Sequence, residues 1–213
     1  MPYLPHIYPV GATFFITFRL ADSLPQYIVS ELKATFAKAE IDILNEDIPT
    51  AKKNNKIQQL RKEVFGTYDH QLDSQPYGAC YMNNSKVAQI IWDKVFAYSN
   101  QYYKVDALSI MPNHVHMLLD TSVQLPAEWS AGGRPPDYVD VDKWMQLIKG
   151  GSAYSVNRYL GRTGTLWAKE SYDHFVRYDN DGEYSRIKDY IAQNPVVAGL
   201  SRRYLEAPYL FVT

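Results

Sequence analysis

The sequence has a single cysteine in 213 residues, Cys80. That excludes an internal disulfide and a thiolate zinc cluster, and leaves Cys80 the ordinary role of a small buried residue. Neither sign of charge is in excess: 22 Lys and Arg against 23 Asp and Glu give a formal net charge of −1. A general nucleic-acid coat is thereby disfavoured, and any such contact must come from a local basic surface. No apolar run reaches about 18 residues, so no membrane partner is expected. The opening MPYLPHIYPVG lacks the basic-then-apolar pattern of a secretion signal, and a cytoplasmic protein is the expectation. No internal repeat is evident. Tyrosine, by contrast, is abundant: 18, against 8 Phe and 4 Trp. A ring with a polar tip suits half-buried positions and base stacking alike, so this permits nucleic-acid binding without showing it. With 46% hydrophobic and 21% charged residues, the chain reads as one ordinary globular domain, 1–213, with a sizeable core.

The periodicities give an element order. GATFFITFRLAD (11–22) is aromatic and β-branched, a first strand. SLPQYIVSELKATFAKAE (23–40) starts a helix: Ser23 is placed to cap it, Pro25 suits its first turn, and Ile28, Leu32 and Phe36 recur at helical spacing. Residues 41–75 are polar and helix-prone, an excursion from the core. A second amphipathic helix (83–99) is capped by Asn84 or Ser85 and gathers Val87, Ile90, Ile91 and Val95 on one face. YKVDALSIM (103–111), a turn at Pro112-Asn113 and HVHMLLD (114–120) form an antiparallel hairpin. Residues 123–141 are rich in Gly and Pro, a loop insertion. A helix follows from about Asp142 to Leu160, loosened by Gly150-Gly151, and then a strand over 164–178. The last helix runs from about 181 to 194, with Asn180 and Glu183 as a capping box and Pro195 as its stop. The tail adds an edge strand. This order predicts an α+β sandwich, one mostly antiparallel sheet with helices packed on it.

The hairpin's second strand raises the functional question. Alternation puts His114 and His116 on one face and Val115 and Met117 on the other. Two imidazoles on one sheet face are a metal half-site or simply a pair of satisfied buried histidines. A metal-dependent amidohydrolase barrel needs about 250 residues and repeated βα units, which are absent. A nucleotidyl hydrolase with three alternating histidines fails because the third position is Leu118. Two readings then stand: a pair of satisfied histidines in a half-buried strand, and a metal site acting on a phosphodiester with a nucleophile elsewhere.

The last helix offers what that reading needs. Ile187, Tyr190, Ile191 and Asn194 share one face, with Tyr190 and Asn194 one turn apart. A carboxamide oxygen beside two neutral imidazoles, with open positions, suits Mg²⁺ or Mn²⁺ better than a closed zinc site. A phenol close to a metal-bound phosphate can attack phosphorus once deprotonated. Taken alone, a tyrosine on such a face is more often core than nucleophile.

MPNHVHMLL, followed 74 residues after His116 by the tyrosine of IKDYIAQNPVVAGL, resembles the single-tyrosine transposases of the HUH endonuclease superfamily. It is similar in particular to the branch associated with repetitive extragenic palindromes (REP). GATFFITFRLADSLP, YGACYM and GTLWAKESYDHFVR match the same branch in order along nearly the whole chain. The resemblance implies a ferredoxin-like or RRM-like sandwich. It implies His114 and His116 as metal ligands, Asn194 as the third, and Tyr190 as the nucleophile. It implies cleavage of single-stranded DNA near a hairpin, leaving a 5′-phosphotyrosine and a free 3′-hydroxyl.

Single-stranded or hairpin DNA is therefore the expected partner, for a monomer or a homodimer. WAKESYDHFVRY interleaves aromatic and basic residues, making Trp167, Lys169, Tyr172, His174 and Arg177 candidates for stacking and phosphate contacts; a core strand with a solvated charged edge has the same text. Lys149, Arg158 and Arg162 are further phosphate candidates. A hairpin-binding protein without cleavage and a replication or relaxase nickase are the alternatives on the same fold.

Overall fold

The computed structural model describes residues 8–74, 77–129, 133–176 and 182–213. Its centre is a five-stranded sheet of β1 (Thr13–Leu20), β2 (Lys104–Ile110), β3 (His114–Asp120), β4 (Trp167–Val176) and β5 (Leu210–Val212). The strand order is β4-β1-β3-β2-β5, and every neighbouring pair is antiparallel. Helices α3 (Ser85–Phe96) and α4 (Val141–Leu160) connect β1 to β2 and β3 to β4. Strand–helix–strand–strand–helix–strand in the order 4-1-3-2 is the ferredoxin-like split βαβ arrangement. The expected α+β class is the observed one, and the tail does form the added edge strand, paired to β2.

Strand register assigns each side chain to a face. Phe14, Ile16, Phe18 and Leu20 stand with Val115, Met117 and Leu119 on one face. They form the core with Val87, Ala88, Ile91 and Val95 of α3 and Trp144, Ile148 and Val156 of α4. Asn84 caps α3, its side chain accepting from Lys86 N at 2.9 Å. Gly150 and Gly151 do not loosen α4, which is continuous. A Cβ on Gly151 would lie 3.3 Å from Lys94 Cδ, so the missing side chain lets α3 and α4 pack closely. Gly161, in the left-handed region at φ 62°, ends α4.

The opposite face is covered by α5 (Glu183–Val197), which packs on β2, β3 and β5. Pro195 does not stop this helix; it lies inside it. In the last turn a proline forfeits one hydrogen bond only, and Ala198 N, Gly199 N and Leu200 N still donate to Asn194 O, Val196 O and Pro195 O. The proposed partner of Glu183 in a capping box, Asn180, lies outside the described residues.

A second compact unit, Asp22–Cys80, holds α1 (Gln26–Asn45) and α2 (Thr50–Ser74) packed along each other. Leu24, Val29 and Leu72 are buried there, with Tyr68 against them. Ser23 does not cap α1: Pro25 occupies the cap position, with no side-chain bond, and Val29 N donates to its carbonyl at 3.2 Å. No helix among the described residues is long and apolar enough to cross a membrane.

Candidate metal centre and nucleophile

The polar face of the sheet follows from the same registers. Thr17 lies opposite His116 and Arg19 opposite His114, Ser109 opposite His116 from the other side, and Tyr172 opposite Thr17. Thr17, Arg19, Ser109, His114 and His116 are all buried, so their polar atoms must find partners within the protein.

Arg19 donates to Leu20 O at 3.1 Å and Ser109 Oγ to Met111 Sδ at 3.5 Å, while Thr17 and the two histidines find one another. Asn113 Oδ1 lies 2.7 Å from His114 Nδ1. An amide oxygen only accepts, so Nδ1 of His114 carries the hydrogen and the lone pair of a neutral His114 is on Nε2. That Nε2 stands 2.9 Å from Nε2 of His116. The other nitrogen of His116, Nδ1, is 2.7 Å from Thr17 Oγ1. Burial pushes the His116 pKa down to about 3, which keeps its imidazole in the neutral, ligating form.

Asn194 closes the group from α5. Its Nδ2 is 3.2 Å from His116 Nε2, while its Oδ1 is buried with no hydrogen-bond partner among the described residues. An orphaned buried acceptor is costly. A half-turn of the carboxamide exchanges two atoms of near-equal size and brings Oδ1 to His116 Nε2. With the His116 hydrogen on Nδ1, donated to Thr17 Oγ1, two nitrogen lone pairs and an oxygen converge with no hydrogen between them, an arrangement that a cation completes. Two nitrogens held at about 2.1 Å from an octahedral ion and at a right angle lie roughly 3.0 Å apart, close to the 2.9 Å observed. The donor set therefore fits a divalent ion of the Mg²⁺ or Mn²⁺ class.

Tyr190, one turn before Asn194 on α5, is half-buried. Its ring meets His116 at 5.5 Å between centroids, inclined 71°, and Phe15 at 5.9 Å, inclined 87°. Edge contacts on two sides fix the ring beside the imidazole pair. The four residues marked by the sequence, His114, His116, Tyr190 and Asn194, thus come together on one face.

The nucleic-acid candidates are distributed differently. Tyr172 is half-buried on the polar face, its ring 6.0 Å from Phe15. His174, opposite Phe15, places Nε2 3.1 Å from Glu183 Oε1. Lys169 is exposed on β4, and Arg158 is exposed on α4, in the layer on the apolar face. Arg162 lies over the Tyr81 ring at 4.8 Å. Arg177 lies outside the described residues. Two candidates are taken up internally. Between Phe18↔Ser171 and Leu20↔Trp167 the register shifts, and this bulge turns Trp167 into the core, against Phe18 at 4.7 Å and with Nε1 donating to Ser152 Oγ at 2.9 Å. Its faces are not offered to a base. Lys149 Nζ donates to Ala168 O, Lys169 O and Ser171 Oγ at 2.8, 3.2 and 3.1 Å, supplying the acceptors the bulge exposes. Burial brings its pKa down to about 8, against the raising effect of Glu170 and with a smaller lowering effect of Arg19.

Thr17 and Asn113 were missed as site residues by reading the sequence. The signal was present as Thr17-x-Arg19, polar positions alternating through an aromatic strand, and as the asparagine immediately before the histidines.

A ferredoxin-like sheet carrying paired histidines and a tyrosine–asparagine helix is the class that fold and site define. No family model matches the chain. It is 28% identical over 107 residues to a Haemophilus influenzae protein provisionally named a REP-associated tyrosine transposase, a match covering 50% of this chain and 57% of that one. The match thus spans little more than half the length of that relative. A solved structure, described as a REP-associated tyrosine transposase bound to a REP hairpin, superposes over 99% of this chain and 82% of its own with a TM-score of 0.50 and 15% identity. The chain is similar in sequence to the first of these proteins and in fold to the second.

Proposed function

We propose that the protein is a metal-dependent endonuclease and transposase of single-stranded DNA, cutting beside hairpins through a 5′-phosphotyrosine at Tyr190. The observation that carries this reading is the convergence of His114 Nε2 and His116 Nε2 at 2.9 Å, with Asn194 and the Tyr190 ring on the same imidazole. The likeness to REP-associated transposases supports it and suggests a REP-type hairpin as the substrate.

In the reaction, Tyr190 Oη forms a bond to phosphorus as the P–O3′ bond breaks. The phenol loses its proton and the departing 3′-oxygen gains one. The phosphodiester energy is kept in the tyrosyl link, so a 3′-hydroxyl can later attack it and restore a DNA strand. His114, His116 and Asn194 would hold Mg²⁺ or Mn²⁺, which when bound supplies Lewis-acid polarisation of the phosphate and orientation. Thr17 and Asn113 fix the two imidazoles, and Phe15 with His116 fixes the attacking ring. The chain's balanced charge leaves few phosphate contacts to release counterions, so binding should weaken only shallowly with salt.

The test is incubation with hairpin oligonucleotides bearing single-stranded flanks, with Mn²⁺ and with EDTA, followed by denaturing electrophoresis. A covalent protein–DNA band that needs the metal, and is absent with fully duplex DNA of the same sequence, is expected. Equal cleavage of hairpin and duplex, without an adduct, contradicts the reading.

A further inference from the structure

We propose that His174 and Glu183 are a positioning pair: they fix the first half of α5 on the sheet and, through it, the phenol of Tyr190. The catalytic part of this inference rests on the reading of Tyr190 as nucleophile. The buried residues of α5 are Glu183, Ile191, Asn194 and Pro195. Three of these lie beyond Tyr190, in the second half of the helix. The first half therefore has no fully buried apolar side chain, only the half-buried Tyr184, Ile187 and Tyr190, although burial of an apolar stripe is what ordinarily seats a surface helix.

What it has is Glu183. Its carboxylate Oε1 lies 3.1 Å from His174 Nε2, with the two side chains only 7% and 10% exposed. A carboxylate so far removed from water is tolerable only when paired. At the first helical position it is also well placed against the helix dipole, so the helix as such does not depend on His174. Its docking does. Gly182, just before it, adopts φ 75°, a left-handed conformation that glycine takes freely.

The path from the pair to the nucleophile is short. His174 lies opposite Phe15 in the sheet, and the Phe15 ring is one of the two that edge Tyr190. Glu183 and Tyr190, two turns apart, share the sheet-facing side of the helix. The sheet side of α5 is thus fastened by buried polar contacts on either side of Tyr190, Glu183 to His174 and Asn194 to His116, with Lys188 Nζ donating to Thr213 Oγ1 at 2.9 Å at the exposed rim. Loss of the first fastening leaves the metal centre intact and frees the half-helix that carries the phenol.

The experiment compares full-length wild type, Glu183→Ala, Glu183→Gln and Tyr190→Phe by amide hydrogen exchange, hairpin affinity and single-turnover adduct formation. In Glu183→Ala the amides of residues 187–190 should exchange roughly tenfold faster, the scale of a lost hydrogen bond to a charged group. Those of 192–197 and of β3 should stay as in wild type. Adduct formation should slow by a similar factor at unchanged hairpin affinity. Glu183→Gln keeps a hydrogen bond to Nε2–H and should recover most of both. Unchanged exchange at 187–190, or an equal rise throughout α5 and β3, overturns the inference, the latter by showing a merely structural role. An adduct that persists in Tyr190→Phe overturns the nucleophile reading instead. The exchange pattern, which needs no DNA, decides the fastening separately.

Discussion

On one face of the sheet Phe14, Ile16, Phe18, Val115, Met117 and Leu119 meet the apolar sides of α3 and α4. On the other, the same strands place Thr17, Arg19, Ser109, His114 and His116 under cover, equally out of water. The first face is held by area removed from solvent, which has no direction and tolerates repacking. The second is held by hydrogen bonds between specific atoms, where deleting one partner strands the other. The protein thus uses one layer to be a sheet and the other to hold a constellation. A substitution on the first should cost stability and spare the site, and one on the second should do the reverse.

The largest break expected in this comparison is His114→Ala with His116→Ala. It removes two of three proposed ligands and should abolish cleavage and calorimetrically detectable Mn²⁺ binding, while circular dichroism shows the fold retained. Next is Ile91→Ala on the apolar face, which should cost about 2–5 kcal/mol in urea unfolding with Mn²⁺ affinity unchanged. Matching losses of stability and metal affinity in that variant would erase the distinction between the faces. Thr17→Val removes the hydroxyl beside His116 Nδ1 and should weaken Mn²⁺ binding about 10–100-fold, with Thr17→Ser restoring it.

The smallest effect belongs to Lys149, at the edge between the layers. Its folded pKa of about 8 lies below the unfolded 10.5. The unfolded chain therefore binds more protons between those values, and wild type should gain stability relative to Lys149→Met as pH rises across that window. Below pH 8 the advantage should be gone. Urea midpoints of both proteins at pH 7.5 and 10 check the sign.

How far the sequence displays this division depends on how local each feature is. The alternation in 13–20 and 114–120 is written in consecutive residues, as is the face of α3, and these gave the strands, the hairpin and the helix layer. His114, His116, Tyr190 and Asn194 were legible because each pair lies within one element. Thr17 was not, because its role depends on β1 pairing with β3 across 99 residues of chain. Trp167 and Lys149 read as a nucleic-acid surface because the register shift between Phe18 and Leu20, which buries the indole and exposes the carbonyls that Lys149 caps, leaves no mark in the text of the strand. Glu183 read as half of a local capping box, whereas its partner is His174, on the neighbouring strand rather than in its own helix.

The central claim is that the polar face presents Tyr190 to a phosphodiester. The most direct measurement is peptide mapping, by mass spectrometry, of the adduct trapped on a hairpin oligonucleotide with Mn²⁺, in wild type and in Tyr190→Phe. The account predicts a single phosphotyrosyl linkage at Tyr190 in the wild type and none in the variant, with hairpin affinity nearly equal in the two. A linkage at Tyr172 on β4 or at Tyr184 in the first turn of α5, or one that survives Tyr190→Phe, contradicts it.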